Sequence, residues 1–170
     1  MTRAEPCLTL DSAKHQEKLF GKALKCFATS LPDVAIDLVS YYGYIDAETY
    51  IWLKELPFQS LALDFCQGMF DYGGTDEDGK ITFRGAAAKN VAVLLEHGFP
   101  DDKILVCGVI DGRSVQADAD ARNDAIVAVL TGQACLSERR EKKVILDLGR
   151  VAVSSSCTLL HLPYDLEDGE

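Results

Sequence analysis

The sequence predicts an α/β protein built of parallel βα repeats. Three observations lead to this prediction: short apolar segments alternate with stretches of helical periodicity, the turns between them are short, and the segment Ile104–Ile110 is apolar almost throughout. A continuously apolar strand is typical of a parallel sheet that is buried on both faces. Alternating strands and helices joined in this way favour right-handed βαβ crossovers.

A helix is predicted to follow an extended opening segment. Asp11 and Ser12 are each suitable N-caps, and the helix should run to about Ala28, because Leu31-Pro32 ends the pattern. Such a helix packs on the sheet through one apolar face. The apolar residues recur at helical spacing and are Leu19, Phe20, Ala23, Leu24 and Phe27.

Two strands and a short helix come next. The strands are predicted at Val34–Val39 and Ser60–Phe65, and between them Asp46 would cap a helix over Ala47–Leu53. The segment Asp71–Lys80 is polar and contains three glycines. Its acidic residues suggest calcium, but the EF-hand spacing and closing Glu are missing, so a solvated loop is the preferred interpretation.

The second half of the chain continues the alternation, with Thr131–Lys143 as a charged connector. The spacing of the strands suits either a doubly wound sheet or part of a (βα)8 barrel. No glycine-rich phosphate motif favours a nucleotide-binding version. The predicted elements are a helix over Gly85–His97 with Gly98 as its C-cap, the strand Ile104–Ile110, a helix from about Asp118 to Leu130, and a fourth strand over Val151–Val153.

Length and charge limit the classes of function. At 170 residues the chain suits one domain, residues 1–170, with a sizeable core. The net charge of −10 argues against nucleic acid, whose phosphates require clustered Lys and Arg, and against an anionic membrane surface. No apolar run approaches the roughly 20 residues needed to cross a bilayer. Neither nucleic acid nor a membrane is therefore expected as a partner.

The cysteines point to a reducing compartment. Six are spread along the chain without a CxxC spacing, so a zinc knuckle or a thioredoxin-type motif is not indicated. Cys66 and Cys107 lie in or beside apolar runs, which predicts reduced, buried thiols. Because the N-terminal residues include no apolar signal segment, we expect a cytoplasmic protein.

Four stretches occur in an order and spacing that one family shares. They are Glu5-Pro6-x-Leu8, Ser40-Tyr41-Tyr42-Gly43, Gly98-Phe99-Pro100 followed by Gly108-Val109-Ile110-Asp111-Gly112-Arg113, and Ser155-Ser156-Cys157-Thr158-Leu159-Leu160-His161-x-Pro163-x-Asp165-Leu166. Together they resemble the N-terminal domain of cobalamin-independent methionine synthase. The resemblance covers nearly the whole chain, from about Glu5 to Glu167, and its last two motifs are the most specific.

This resemblance implies a cytosolic two-barrel enzyme that transfers a methyl group from 5-methyltetrahydrofolate, with its polyglutamate tail, to homocysteine in methionine biosynthesis. The family's zinc lies in the C-terminal barrel and binds the substrate thiol as a thiolate. The N-terminal barrel lacks a complete zinc site, braces the catalytic barrel and helps to hold the folate tail. We therefore expect no cofactor in this chain, and folate and homocysteine are expected as ligands only through the resemblance.

Several departures from the family pattern limit this expectation. The chain corresponds only to the second half of the N-terminal barrel, from the end of its fourth strand through its eighth, and the catalytic barrel has no counterpart. Ala4 replaces an acidic residue, and Ser114 and Gln116 replace Asn and Trp. Asp71–Lys80 and Cys135–Lys143 look like insertions. We expect a fragment or split subunit that is not competent alone, or alternatively a non-catalytic binding or structural module.

Four residues after the third and fourth strands are candidates for substrate contact: Asp111, Arg113, Cys157 and His161. Barrel enzymes place their chemistry at strand C-termini. Asp111 and Arg113 would orient a charged substrate, or else pair with each other or the backbone to fix the turn. Cys157 and His161 would form half of a metal site, but a site needs three or four ligands, so a structural loop is preferred. No catalytic or metal-binding residue is assigned.

Two further features have both a chemical and a structural interpretation. Asp64 ends the second strand and would act as a general base if it were desolvated, but a hydrogen bond to the next loop is the preferred role. Trp52 and the Tyr41-Tyr42-Tyr44 group would stack on a pterin, but packing at the rim of the core is the preferred explanation.

A partial barrel leaves a physical difficulty at its edges. About four strands of a (βα)8 barrel would have unpaired edges and exposed apolar faces. We therefore expect a homodimer or a partner chain that completes the barrel.

Overall fold

A computed structural model describes residues 2–4, 13–40, 43–66, 74–75, 77, 81–83, 85–112, 120–132 and 145–156. Seven strands and four helices are seen in these residues. The strands are β1 (Thr2–Ala4), β2 (Asp37–Val39), β3 (Ser60–Asp64), β4 (Gly74–Thr75), β5 (Ile81–Thr82), β6 (Ile104–Ile110) and β7 (Val151–Ser155). The helices are α1 (Ala13–Ser30), α2 (Ala47–Lys54), α3 (Gly85–His97) and α4 (Asp120–Leu130), and a 3-10 turn at Leu148–Arg150 leads into β7.

Five strands form one parallel sheet whose strand order follows the chain, β1-β2-β3-β6-β7. A doubly wound sheet reverses its strand order at a switch point, whereas each strand of a βα barrel lies beside the preceding one. The described sheet contains no such reversal. The predicted fold class is confirmed: this is a parallel α/β arrangement consistent with part of a TIM-type barrel.

The helix boundaries follow the predicted local signals. The bounds of α3 are those predicted, and Gly98 closes it with a φ of +68°, a left-handed conformation that favours glycine. Asp46 caps α2, since its Oδ1 accepts a hydrogen bond of 3.1 Å from the backbone N–H of Thr49. The bounds of β6 also match the prediction, because its apolar run is unbroken.

Three predicted elements need correction. The sheet has five strands rather than about four, since the three-residue strand β1 is too short to produce a periodic pattern. The strand predicted from Val34 begins only at Asp37, and Val34 is exposed. The segment around Asp71–Lys80 is more than a loop, because β4 and β5 pair as an antiparallel hairpin. Glu77 within it is exposed, as expected of a solvated segment.

The two faces of the sheet differ in how they are covered. Leu38, Leu61 and Leu105 are neighbours in register and fully buried, in a cluster that includes Leu53 of α2 and Leu94 of α3. This is the outer face, on which the helices pack. The inner face carries the alternate residues Val39, Ala62, Val106 and Ala152, also in register, and of these only Ala62 is buried.

Candidate functional site

The carboxyl ends of the strands bring polar residues to one edge of the sheet. Ser40 follows β2, Asp64 ends β3, Asp111 follows β6 and Ser156 follows β7. Ser40, Asp64 and Ser156 are buried, and Asp111 is partly buried. This edge is where βα barrels place their ligand-binding residues, so it is the candidate functional site.

Asn90 of α3 is the central polar residue beneath this edge. Its Nδ2 donates to the carbonyl oxygens of Asp64, at 2.8 Å, and of Gly43, at 3.2 Å, and its Oδ1 accepts from the backbone N–H of Ile45 at 3.1 Å. The side chain is almost fully buried. Asn90 therefore fixes the loop after β2 against the end of β3, because a buried amide must be hydrogen-bonded.

Sequence reasoning missed Asn90, although a signal was present. Along α3 the buried residues recur at Ala87, Val91 and Leu94, and Asn90 falls on the same face. A single amide in an otherwise apolar stripe indicates a buried hydrogen-bonding role. The partners themselves lie far away in the chain, and no local pattern identifies them.

Asp64 has the structural role that was preferred for it. Its Oδ1 accepts a hydrogen bond of 2.7 Å from the backbone N–H of Cys66, which confirms a contact to the next loop. Beside it, the Cys66 thiol donates to the carbonyl oxygen of Gly108 at 3.4 Å, and the N–H of Phe65 donates to the same oxygen at 3.0 Å. The end of β3 is thus joined to β6 by main-chain and side-chain bonds.

The predicted buried thiols are confirmed. Cys66 and Cys107 are both buried, and neither is in a disulfide. Burial raises the pKa of Cys107 to about 12, because a thiolate would lose its hydration in the core. Cys107 therefore stays protonated at neutral pH and is not a nucleophile.

Close packing of β3, β6 and β7 depends on Gly108. A Cβ at this position would lie 2.8 Å from the carbonyl oxygen of Leu63 and 2.9 Å from the Cα of Ser156, and both distances are shorter than any ordinary contact. The register between β6 and β7 also shifts between Gly108 and Ile110. The absence of a side chain here lets the end of β7 approach the end of β6.

The end of β7 is hydrogen-bonded to the turn that carries Asp111. The backbone N–H of Ser156 donates a hydrogen bond of 2.7 Å to the carbonyl oxygen of Ile110. In return, the hydroxyl oxygen of Ser156 accepts a hydrogen bond of 3.4 Å from the backbone N–H of Gly112. Substrate contact was predicted for one segment that begins at Asp111 and for another that follows Ser156. These hydrogen bonds place the starts of the two segments side by side.

The predicted substrate-contact residues are only partly covered by the structure. Asp111 lies directly after β6 and is partly buried. Arg113, Cys157 and His161 lie outside the described residues, as do Tyr41 and Tyr42. Their roles stay predictions.

The described aromatic residues pack against other side chains. Trp52 is partly buried against the core, and its ring centroid lies 6.1 Å from that of Phe20. Its ring also packs close to Gly21, where an added Cβ would lie 3.3 Å from the Trp52 ring edge. Tyr44 is more exposed, and the Lys89 ammonium lies 3.8 Å from the centre of its ring. Packing at the rim is confirmed for Trp52, and Tyr44 takes part in a cation–π contact.

The described residues bear on metal ligation and on membrane insertion. Within them, no three His, Cys, Asp or Glu side chains are placed to hold a metal ion, whereas a zinc site takes three or four protein ligands. The described residues therefore do not form a zinc site, and Cys157 and His161 lie outside them. Among the described helices, none is long and apolar enough to cross a membrane.

The chain is similar to a group of curated proteins, although no family model matches it. It is 32% identical over 162 residues to a protein of Catharanthus roseus, covering 95% of this chain and 17% of that protein. It is 29% identical over 160 residues to one of Listeria monocytogenes, covering 94% of this chain and again 17% of the relative. Both relatives are named 5-methyltetrahydropteroyltriglutamate–homocysteine methyltransferase. The chain therefore spans about a sixth of the length of these relatives.

Proposed function

Since this chain is a homologue of one segment of the cobalamin-independent methionine synthases, we propose that it is a barrel module of a methyl-transfer protein in methionine biosynthesis. The single observation that carries the proposal is sequence similarity along 94–96% of the chain to proteins of that name. The parallel strand order, which follows the chain, supports it. The donor would be 5-methyltetrahydropteroyltriglutamate and the acceptor homocysteine, as in the relatives' name.

In this reaction the bond between the methyl group and the pterin nitrogen breaks, and a bond between the methyl group and the homocysteine sulfur forms. The thiolate supplies the electron pair for the new bond, and the pterin nitrogen gains a proton. A zinc-bound thiolate in a second barrel would supply the nucleophile, as the family resemblance implies. We propose that this chain positions substrate and that the sulfur is activated in the second barrel.

We assign substrate contact to the carboxyl edge of the sheet. Asp111 follows β6 there, and Arg113, Cys157 and His161 are proposed to contact the substrate with it. An Arg guanidinium is suited to a carboxylate of the glutamate tail, because it forms paired, charge-assisted hydrogen bonds. The hydrogen bonds from Asn90 to Asp64 and from Gly112 to Ser156 would hold the surrounding loops in place.

Methyl transfer by the isolated chain tests this proposal most directly. We expect the purified chain alone to form no methionine from homocysteine and the triglutamate donor. We expect formation once the chain is combined with the remaining segments of a relative, such as the Catharanthus roseus protein. Turnover by the chain alone would overturn the claim that it is incompetent in isolation, and inactivity of every combination would overturn the methyl-transfer role.

The alternative is a non-catalytic module that keeps the fold. Ala4, Ser114 and Gln116, which depart from the family pattern, favour it. Binding distinguishes the two: a module in methyl transfer should bind the triglutamate donor in the assembled protein, and a non-catalytic relic should not. Zinc content by mass spectrometry is a second check, since we expect no stoichiometric zinc in the chain and its presence would restore Cys157 and His161 as ligands.

We also propose a cytoplasmic location. Cys66 and Cys107 in the core and Cys26 on the surface are not in disulfides, which supports this location because reduced cysteines persist in the cytosol. Fractionation of cells followed by thiol labelling tests this, and recovery of the chain from an oxidising compartment would contradict it.

A further inference from the structure

Helix α1 carries a positively charged face in an acidic protein. Lys18, Lys22 and Lys25 are all exposed. Their spacing of four and three residues places them on one face of the helix, about 10 Å from the first to the last along its axis. The chain as a whole has a net charge of −10. This face is therefore a local exception to the charge of the molecule.

The three lysines have no acidic partner in the part of the chain that the structure describes. The ion pairs between described residues involve other side chains. Glu17 is the only acidic residue of α1, and it is partly buried. Its carboxylate accepts a hydrogen bond of 3.3 Å from the hydroxyl of Thr49 on α2. The described residues therefore leave the positive charge of this face uncompensated.

An exposed leucine adjoins the lysines. Leu19 is 73% exposed, more than any other large apolar side chain among the described residues. It lies three residues before Lys22, so the two side chains are neighbours on the helix surface. The helix contacts the core from its other side, through the buried Phe20 and Leu24. Leu19 therefore faces away from the core and is available to a second molecule.

The helix itself is firmly attached to the protein. The ring centroids of Phe20 and Trp52 lie 6.1 Å apart. A Cβ added at Gly21 would lie 3.3 Å from the Trp52 ring and 3.5 Å from Leu56, so α1 and α2 approach closely at this glycine. A face on a fixed helix loses little conformational freedom when a ligand binds, which favours binding.

We propose that the lysine face of α1, formed by Lys18, Leu19, Lys22 and Lys25, docks a short acidic helix of another protein. Carboxylates spaced by three and four residues on such a helix match the spacing of the three ammonium groups. An apolar side chain beside those carboxylates would cover Leu19. Exposed ion pairs are individually weak, so the affinity depends on several pairs acting together with the apolar contact.

The small size of the lysine face favours a peptide over a larger polyanion. A nucleic-acid duplex or an anionic bilayer extends well beyond about 10 Å, and the acidic remainder of the chain would repel it. A short helix can contact α1 alone and avoid this repulsion. Phosphate groups also offer no apolar surface to Leu19, whereas a peptide carries both kinds of side chain.

The probe is a fluorescently labelled synthetic peptide of about 15 residues, long enough to form a helix on docking. It carries Glu at alternating spacings of three and four residues, Leu beside the Glu row, and Ala elsewhere. A control peptide has Gln in place of every Glu. We expect the acidic peptide to bind the full chain by fluorescence anisotropy, and binding to weaken at least about tenfold between about 50 mM and about 300 mM salt. No binding, or equal binding of the control peptide, would overturn the proposal.

A pair of charge-matched variants locates the contact. Lys22→Glu on α1 and Lys89→Glu on α3 each reverse one exposed lysine, so both change the net charge equally. We expect Lys22→Glu to weaken peptide binding at least about tenfold and Lys89→Glu by less than about twofold, with both variants folded by circular dichroism. Lys25→Glu is a second variant of the same face and should act as Lys22→Glu does. Equal weakening by Lys22→Glu and Lys89→Glu would mean that the peptide responds only to net charge, and would overturn the docking site.

The apolar contact and the class of partner are tested in the same assay, without methyl donor or acceptor. Leu19→Ser leaves the charge unchanged, and we expect it to weaken peptide binding about fivefold. Unchanged binding would contradict the proposed contact with Leu19. A single-stranded oligonucleotide of about 15 nucleotides and vesicles of phosphatidylserine serve as competitors. Displacement of the peptide by either one, at an equal concentration of negative charge, would assign the lysine face to that class of ligand and overturn the protein partner.

Discussion

The side chain of Asn90 donates a 2.8 Å hydrogen bond to the carbonyl oxygen of Asp64, so helix α3 is joined directly to the carboxyl end of the central strand β3. The same amide holds the loop after β2 through Gly43 and Ile45. Three segments that are distant in the chain meet at this one buried side chain. The shape of the candidate site therefore depends on Asn90, to which no substrate contact is assigned.

Asn90→Ala should destabilise the protein by about 2–4 kcal/mol, because the buried backbone groups of Ile45 and Asp64 would lose their partner. Urea denaturation followed by circular dichroism measures the effect as a lower midpoint with an unchanged slope. Ala92→Gln, on the exposed face of the same helix, is the control and should change stability by less than about 0.5 kcal/mol. Similar losses in both variants would show that the network is unimportant.

Gly108→Ala should destabilise the protein by about 1–3 kcal/mol, because its methyl group would meet the backbone at Leu63 and Ser156. For a chain of this size each kcal/mol lowers the melting temperature by about 2–4 °C. Gly149→Ala is a matched control, since a Cβ there meets nothing within 4 Å. A melting temperature for Gly108→Ala equal to that of Gly149→Ala would contradict the close approach of β7.

Asn90 and Gly108 show which features cannot be predicted from the sequence. The caps Asp46 and Gly98 and the strand Ile104–Ile110 were predicted because each signal lies within a few neighbouring residues. The partners of Asn90 lie 26 to 47 residues away, and the need for glycine at position 108 arises from two other strands. Because these contacts join residues that are distant in the chain, the neighbouring sequence gives little indication of them.

The missed elements have a simpler cause. β1 spans three residues, and β4 and β5 span two each, so none is long enough for an alternating pattern to be recognised. They exist because a partner strand supplies the hydrogen bonds: β2 for β1, and each hairpin strand for the other.

Stability should fall as the pH rises above 9, partly because of Cys107. Its pKa is raised from 9.0 to about 12 in the folded state, so the native protein keeps a proton that the unfolded chain releases in this range. The contribution is complete below pH 9 and is lost as the pH approaches 12. Burial also raises the pKa of Tyr50, which acts in the same direction.

Cys107→Ala isolates the thiol's share of this dependence. We expect the free energy of unfolding, measured in urea from pH 8 to pH 10.5, to decline less steeply in Cys107→Ala than in the unsubstituted protein. Cys26→Ala, which removes an exposed thiol, should leave the slope unchanged. Parallel curves for Cys107→Ala and the unsubstituted protein would show that the thiol does not titrate abnormally.

Arg113 should contribute to binding of the donor's anionic tail. Arg150 provides a control of equal charge. Arg150 lies just before β7, and its guanidinium donates to the carbonyl oxygen of Pro100 at 2.7 Å, so it belongs to the amino end of the sheet. Arg113→Gln and Arg150→Gln each remove one positive charge, and both therefore reduce any general attraction for an anion equally. Calorimetric titration with the triglutamate donor, on the chain combined with the remaining segments of a relative, should show about tenfold weaker binding for Arg113→Gln alone, the loss of one charge-assisted contact of roughly 1.5 kcal/mol. Equal weakening by the two substitutions would mean that the donor responds to net charge and that Arg113 makes no specific contact.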